Sequence, residues 1–366
     1  MRILLIGEYS RVHLTLAEAL RTLGHEVLVA SDGDGFKSYP RDVDLTRKSS
    51  GLIDTLTSLI SVTGKFNKFK GYDVVQLINP CFTTQNVKIN RHLYNKLKKN
   101  NKKVFLGAFG DDTYWVKACL GNQIFDYSEF FVDGKPINVD FNQRFIDKWI
   151  GTPLEKLNEY MAQTSDGISA CLYEYYVSYE PYFHDKVKYL PLPLNTSEIQ
   201  FQPISEEPKK VNFFIGINKI REKFKGTDVM EKALARIKDK YPDKVIITRV
   251  ESVPYDEYQR LMSQAHVVLD QLYSHTPAMN ALLAMAQGKV LVGGGEPYIY
   301  DLYGEYDNRP IINIHPNEDD VFDKLEWLIL NKTEIPEISR NSRLFVEKNH
   351  DYITVAKKYL EYWNKG

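Results

Sequence analysis

Four cations crowd one short loop. Lys219, Arg221, Lys223 and Lys225 fall between an apolar strand-like run at 211–215 and a helix-like run at 228–240. Such a loop suits a diphosphate, because a guanidinium pairs with phosphate oxygens, an ammonium acts as a point charge and a following helix start adds a favourable dipole. A solvated basic loop is the bland alternative. A second concentration, Gly107-Ala108-Phe109-Gly110-Asp111-Asp112-Thr113-Tyr114-Trp115, follows a strand-like run at 103–106. Asp111 and Asp112 there either hold a sugar hydroxyl or serve as a base, or else cap the next helix. His275 precedes an apolar helix, where its imidazole either donates to phosphate or sugar or is an ordinary turn residue. Gly7 ends the opening strand, and amides at the helix start just after it are candidates for an anionic or hydroxylated group, or Gly7 is simply the turn that such a unit needs.

These residues need elements to position them. Residues 2–6 form an apolar run, Gly7 a turn, 14–23 a helical pattern closed by Gly24, and 26–30 a second strand, which together make a βαβ unit. Strand-like runs at 73–77 and 103–106 flank a helix-like 86–99, and runs at 166–170 and 187–190 complete a first parallel sheet. A proline-rich, aperiodic stretch at 191–210 marks the connection to a second domain. There the alternation resumes, with strands at 211–215, 244–250, 267–270, 290–292 and 310–314, and helices at 228–240, 255–264, 278–287, 298–303, 318–330, 337–349 and 353–364. The expected fold is α/β: two Rossmann-like, doubly wound parallel-sheet domains, 1–195 and 196–350, facing a cleft, with 351–366 crossing back to the first. Ligands of open α/β sheets bind beyond the carboxyl ends of the strands, which is where the loops above lie.

Composition narrows the function. With 48 acidic against 47 basic residues there is no broad positive field for a nucleic-acid backbone. The run Lys98-Lys99-Asn100-Asn101-Lys102-Lys103 sits where a helix should end, so it reads as a solvated terminus or as a weak phospholipid attraction. Three scattered cysteines and the absence of a long apolar run suit a cytoplasmic protein without a transmembrane segment, with peripheral contact at the inner face of the membrane left open. Tyr9 and Val12 occupy positions where a dinucleotide fingerprint needs glycine, which argues against an NAD enzyme. The Asp-x-Asp triplets at 32–34 and 42–44 are able to hold a cation on a diphosphate but lie in the first domain, where polar turns are the simpler reading. No metal site is expected.

One stretch is more specific. A polar turn at 274–277 opens a helix, Ala284-Met285-Ala286-Gln287-Gly288-Lys289-Val290 follows, and the next strand runs into Gly293-Gly294-Gly295-Glu296. This resembles the nucleotide-sugar signature of the GT-B glycosyltransferases related to family four (glycosyl transferases group 1). Lys225-Gly226 stands where those enzymes grip the donor diphosphate, and the opening MRILLIG resembles their first strand. The resemblance implies transfer of a sugar from a UDP- or GDP-linked donor to a hydroxyl of a carbohydrate or lipid-linked acceptor, in surface polysaccharide or glycoconjugate synthesis. It also implies a retaining, metal-independent reaction. Lys225, Gly226 and one of Arg221 or Lys219 would hold the diphosphate, with the amides around Met279 and Asn280 completing the grip. The chain departs from the family at two positions where glutamates are usual: His275 and Leu283 stand there. Asn280 or Glu296 would then assist the donor, and Asp111, Asp112 and His275 are the catalytic candidates. Two rivals follow, a nucleotide-sugar epimerase of the same shape and a catalytically inactive nucleotide-sugar-binding subunit.

Overall fold

The structure is a computed structural model that describes residues 1–47, 61–121 and 123–365. It contains two compact units, one made of Met1–Ala118, Gln143–Pro193 and Tyr352–Gly366, the other of Cys119–Asn142 and Leu194–Asp351.

The first unit is built on strands β1 (Arg2–Ile6), β2 (Glu26–Ser31), β3 (Val43–Asp44), β4 (Val74–Leu77) and β5 (Lys103–Ala108). A small antiparallel hairpin in the other unit, β6 (Phe131–Val132) and β7 (Lys135–Pro136), comes next in the chain, before β8 (Gly167–Ala170) and β9 (Val187–Tyr189) return to the sheet. The sheet order is β3-β2-β1-β4-β5-β8-β9, every pairing parallel, with Leu4 opposite Leu28 on one side and Val75 on the other. Ile3, Leu4, Leu5 and Ile6 are all fully buried, so both faces of β1 must be covered, as parallel sheets require. The strand order reverses between β1 and β4. At that point Gly7 has φ +87°, and a Cβ on it would lie 2.1 Å from Ile78 Cγ2, so only glycine fits.

The last helix, Tyr352–Lys365, packs on this first unit. Val355, Ala356, Tyr359 and Trp363 form its buried stripe at helical spacing. The Tyr362 hydroxyl donates to the Lys186 carbonyl at 2.5 Å and accepts from the Ile168 amide at 2.8 Å, while Trp363 lies 6.3 Å from the Phe105 ring. The lysine run after helix Val87–Asn100 is tied down locally: Lys98 pairs with Asp166 and Lys102 with Asp73.

The second unit carries β10 (Val211–Ile217), β11 (Val245–Glu251), β12 (Val267–Leu269), β13 (Val290–Gly293) and β14 (Ile312–Asn313) in the order β11-β10-β12-β13-β14, again parallel. One face of the sheet, with Phe213, Ile215 and Leu269, packs on helices Thr227–Lys240 and Glu318–Leu330 through residues such as Met230, Leu234 and Leu325. The other face, with Phe214 and Val268, packs on Met262 and Ala284 from helices Tyr255–Ser263 and Met279–Ala286. Residues 119–142, which the sequence pattern leaves inside a first domain of 1–195, group instead with this unit, because Val132 and Ile137 pack against its core. Among the described residues no helix is long and apolar enough to cross a membrane.

Replacing Trp363, fully buried in the first unit, with alanine is expected to cost about 3–5 kcal/mol of stability. Denaturant unfolding of the full chain measures it; a loss below 1 kcal/mol would mean that the last helix contributes little to this unit.

Candidate functional site

The second unit has the strand order in which connections leave β10 and β12 for opposite faces, opening a crevice beyond their carboxyl ends. The two loops that flank this crevice touch: the Leu272 amide donates to the Lys225 carbonyl at 2.9 Å. Gly226, at φ +70°, makes that approach fit, since a Cβ there would sit 2.6 Å from Leu272 Cβ. The loop cations divide by partner. Lys219 pairs with Glu251 at 3.0 Å. Arg221 lies over the Phe224 ring at 5.6 Å, and neither it nor Lys225 makes an ion pair among the described residues. Lys225 faces the carboxyl of Asp270, which burial raises above its ordinary value while Lys225 and a hydrogen bond from Asn280 pull the other way.

Helix Met279–Ala286 starts at this crevice without a side-chain cap, so the amides of its first turn, Met279 and Asn280 included, have no side-chain acceptor there. The Asn280 side chain donates to the Tyr258 hydroxyl at 3.0 Å. Leu283, one turn on, is partly buried and packs against the cluster that holds Phe214, Met262 and Ala284. Its surroundings are those of a packing residue.

The neighbouring strand ends bring together residues that are far apart in sequence. His275 after β12, Glu296 after β13 and His315 after β14 meet under Tyr127 of the 119–142 segment. The Tyr127 ring stacks on His275 at 4.3 Å and 13°, and its hydroxyl donates to Glu296 Oε1 at 3.0 Å. His275 Nε2 donates to the Tyr127 carbonyl at 2.9 Å, and Nδ1 takes the Tyr298 hydroxyl. His315 Nδ1 lies 3.5 Å from the same Glu296 oxygen. His275 and Glu296 are 1% and 6% exposed, so both are held inside this clasp. Sequence reasoning missed Tyr127, Tyr298 and His315; no local motif singles them out, and the bend that delivers Tyr127 is a tertiary event.

In the first unit the aspartate pair splits. Asp111 accepts from Lys148 Nζ at 2.6 Å and Trp149 Nε1 at 2.8 Å. Asp112 is fully buried, caps helix Thr113–Gly121 by accepting the Trp115 amide at 3.0 Å, and accepts the Tyr179 hydroxyl at 2.7 Å. Burial pushes its carboxyl up to about 7. At the turn after β1, the Glu8 carboxyl already takes the amides of His13 and Leu14, at 3.2 and 2.8 Å. The expectation that amides at this helix start receive a ligand is corrected for those two: their partner is internal, and Gly7 is there for the turn. The Asp-x-Asp carboxylates are likewise engaged, Asp34 with Lys37, Asp42 with Arg21 and Asp44 with Arg41. Among the described residues no three His, Cys, Asp or Glu side chains gather as a metal site.

Two parallel α/β units of these strand orders are the fold of GT-B glycosyltransferases. Sucrose-phosphate synthase of Thermosynechococcus elongatus superposes with a TM-score of 0.63 at 12% identity, over 100% of this chain and 99% of that one. HepE of Anabaena, solved with UDP-glucose, gives 0.63 at 11% over the whole of both chains. UDP-GlcNAc 2-epimerase of Neisseria meningitidis, bound to UDP-GlcNAc, gives 0.54 at 14%, also over the whole of both. No curated protein matches the sequence. Residues 213–361 match the family described as glycosyl transferase-like, and the fold of the chain is that of the GT-B structures above.

Two predictions follow from these contacts. Folded Asp112 holds its proton up to about 7 against an ordinary value of 3.8, so its contribution to stability is greatest at low pH and falls as pH rises from about 4 to about 7. Asp112→Asn should remove this slope, read as a changed difference between denaturation midpoints at pH 5 and pH 8; an unchanged difference refutes the assignment. Leu283→Glu should lower the melting temperature, since a carboxylate packed against the apolar cluster of Phe214, Met262 and Ala284 loses hydration without a partner, at roughly 1–3 kcal/mol. An unchanged melting point with tighter UDP binding would instead restore the family's usual ribose contact.

Proposed function

We propose that this protein transfers a sugar from a nucleoside-diphosphate sugar, in the first instance a UDP-sugar, to a hydroxyl of a carbohydrate or lipid-linked acceptor. The observation that carries this reading is the placement of two cations that make no ion pair among the described residues, Arg221 and Lys225, with the uncapped start of helix Met279–Ala286 across the β10/β12 crevice. A diphosphate placed there meets a guanidinium, an ammonium and free amides together. In the reaction the acceptor oxygen bonds to the anomeric carbon as the bond to the diphosphate breaks, and the hydroxyl proton passes to the departing diphosphate oxygen. Arg221, Lys225 and the helix amides stabilise the charge that builds on the departing diphosphate. The reading is of a retaining, metal-independent enzyme, supported by the resemblance and by the internal engagement of the Asp-x-Asp carboxylates. The UDP preference is supported by two structures of the same fold solved with UDP-glucose and UDP-GlcNAc.

Asp111, Asp112 and His275 enter this reading as positioning residues, because each carries internal hydrogen bonds. Gly7 and Gly226 shape turns, Lys219 sits at the edge of the phosphate site, and Glu296 anchors the clasp beside it. A second reading has a specific observation behind it: with Leu283 in an apolar cluster and both His275 nitrogens occupied, a subunit that binds a nucleotide sugar without turning it over is the natural alternative.

Calorimetry with UDP, GDP and UDP-glucose tests the site. Arg221→Ala combined with Lys225→Ala should weaken the preferred nucleotide by several kcal/mol, at roughly 1.5–3 kcal/mol per charge-assisted bond. Unchanged affinity would move the site elsewhere. Incubation with donor alone separates an epimerase, which converts it, from a transferase, and binding without any product identifies the inactive subunit.

A further inference from the structure

A cavity of about 420 Å³ opens in the second unit at the amino ends of the strands, away from every residue discussed above. Its lining includes Gln202, Ser205, Gln264, His266 and Lys289. His266 immediately precedes β12 and Lys289 immediately precedes β13, so the sheet fixes both. Lys289 is 3% exposed, and its Nζ has one partner among the described residues, the Ser263 carbonyl at 2.6 Å. Two of its three N–H groups are left over. His266 Nδ1 accepts the Asn212 amide at 3.0 Å, which leaves Nε2 carrying the hydrogen, with no hydrogen-bond partner among the described residues.

The charges around this cavity do not balance. Burial alone lowers the Lys289 ammonium, to about 8, with no carboxylate acting on it. His266 is lowered by burial and then by Lys289, which places the two nitrogens within each other's field. Glu206 and Glu207 also line the cavity, but Glu207 pairs with Lys332 at 2.8 Å and Glu206 is exposed. A buried cation without a counter-charge is costly unless something anionic is bound beside it.

We infer that this cavity is a binding site for the oxyanion of a small metabolite, a phosphate or a carboxylate, gripped by Lys289 Nζ and His266 Nε2–H. Its volume falls in the range of small-molecule sites, and both Lys289 and His266 belong to its lining. The site is separate from the proposed donor site and does not depend on that reading.

The test is NMR titration of the full chain at constant ionic strength, following the His266 imidazole Hε1 signal, assigned by its loss in His266→Gln. Inorganic phosphate and sodium acetate are the two probes, with sodium chloride as reference. A saturable shift with phosphate, acetate or both is expected and tells which oxyanion the site prefers. Lys289→Met should weaken that response at least tenfold while melting at or above the wild type, because it removes a buried charge. Absence of a saturable shift with either probe in the wild-type chain overturns the proposal whatever the variant does. So does an equal response in a folded Lys289→Met protein.

Discussion

Because β10 pairs with both β11 and β12, the chain must send one connection from β10 to one face of the sheet and the connection from β12 to the other. The loops after the two strands are bridged by a backbone bond from the Leu272 amide to the Lys225 carbonyl. That bond needs Gly226 to have no side chain, since any Cβ would collide with Leu272. Lys225 and the start of helix Met279–Ala286 therefore reach the same place from opposite faces, and the electrostatics of the unit follow from this placement. A helix start without a cap is ordinarily a loss of hydrogen bonding; beside cations it becomes a site for negative charge.

Desolvation then sorts the polar groups around it. Asp270 stands close enough to Lys225 to be stabilised as a carboxylate, yet burial outweighs that pull and raises it above its ordinary value. His275 and Glu296 go further and spend their polar atoms on Tyr127 and Tyr298. Burying them without those partners would cost more than the hydrogen bonds return. The clasp thus makes the 119–142 segment part of the second unit, and it fixes His275 as an anchor of that segment.

The alternation of strands and helices was legible wherever apolar runs were long and flanked by glycine or polar turns. Strands expected at 2–6, 103–106 and 290–292 are Arg2–Ile6, Lys103–Ala108 and Val290–Gly293, and the helix expected at 318–330 is Glu318–Leu330. The cation loop was legible for the same local reason, since charge density in a strand-to-helix turn is visible in sequence. Two-residue strands such as β3 and the β6/β7 hairpin were not, because they hold too few residues to show a period. Most of 113–183 was also unread. Its helix Tyr173–Phe183 is aromatic along much of its length, with a proline inside it, so no clean amphipathic stripe marks it. The division of labour between Lys219 and Arg221 turned on Glu251, thirty residues downstream at the end of the paired strand β11, which only the sheet brings near.

The same geometry explains how one short run of sequence comes to serve two places. Helix Met279–Ala286 has eight residues, about 12 Å of rise, and connects the carboxyl end of β12 to the amino end of β13. Its start faces the crevice beside Lys225, and the turn after its end presents Lys289, which Gly288 allows by taking φ +85°. In a parallel sheet every such crossover carries the chain from one edge to the other, so residues ten apart, Met279 and Lys289, are held at opposite edges by a single rigid element. Ala281, Leu282, Ala284, Met285 and Ala286 are all buried along it, leaving no room for the helix to bend between its ends.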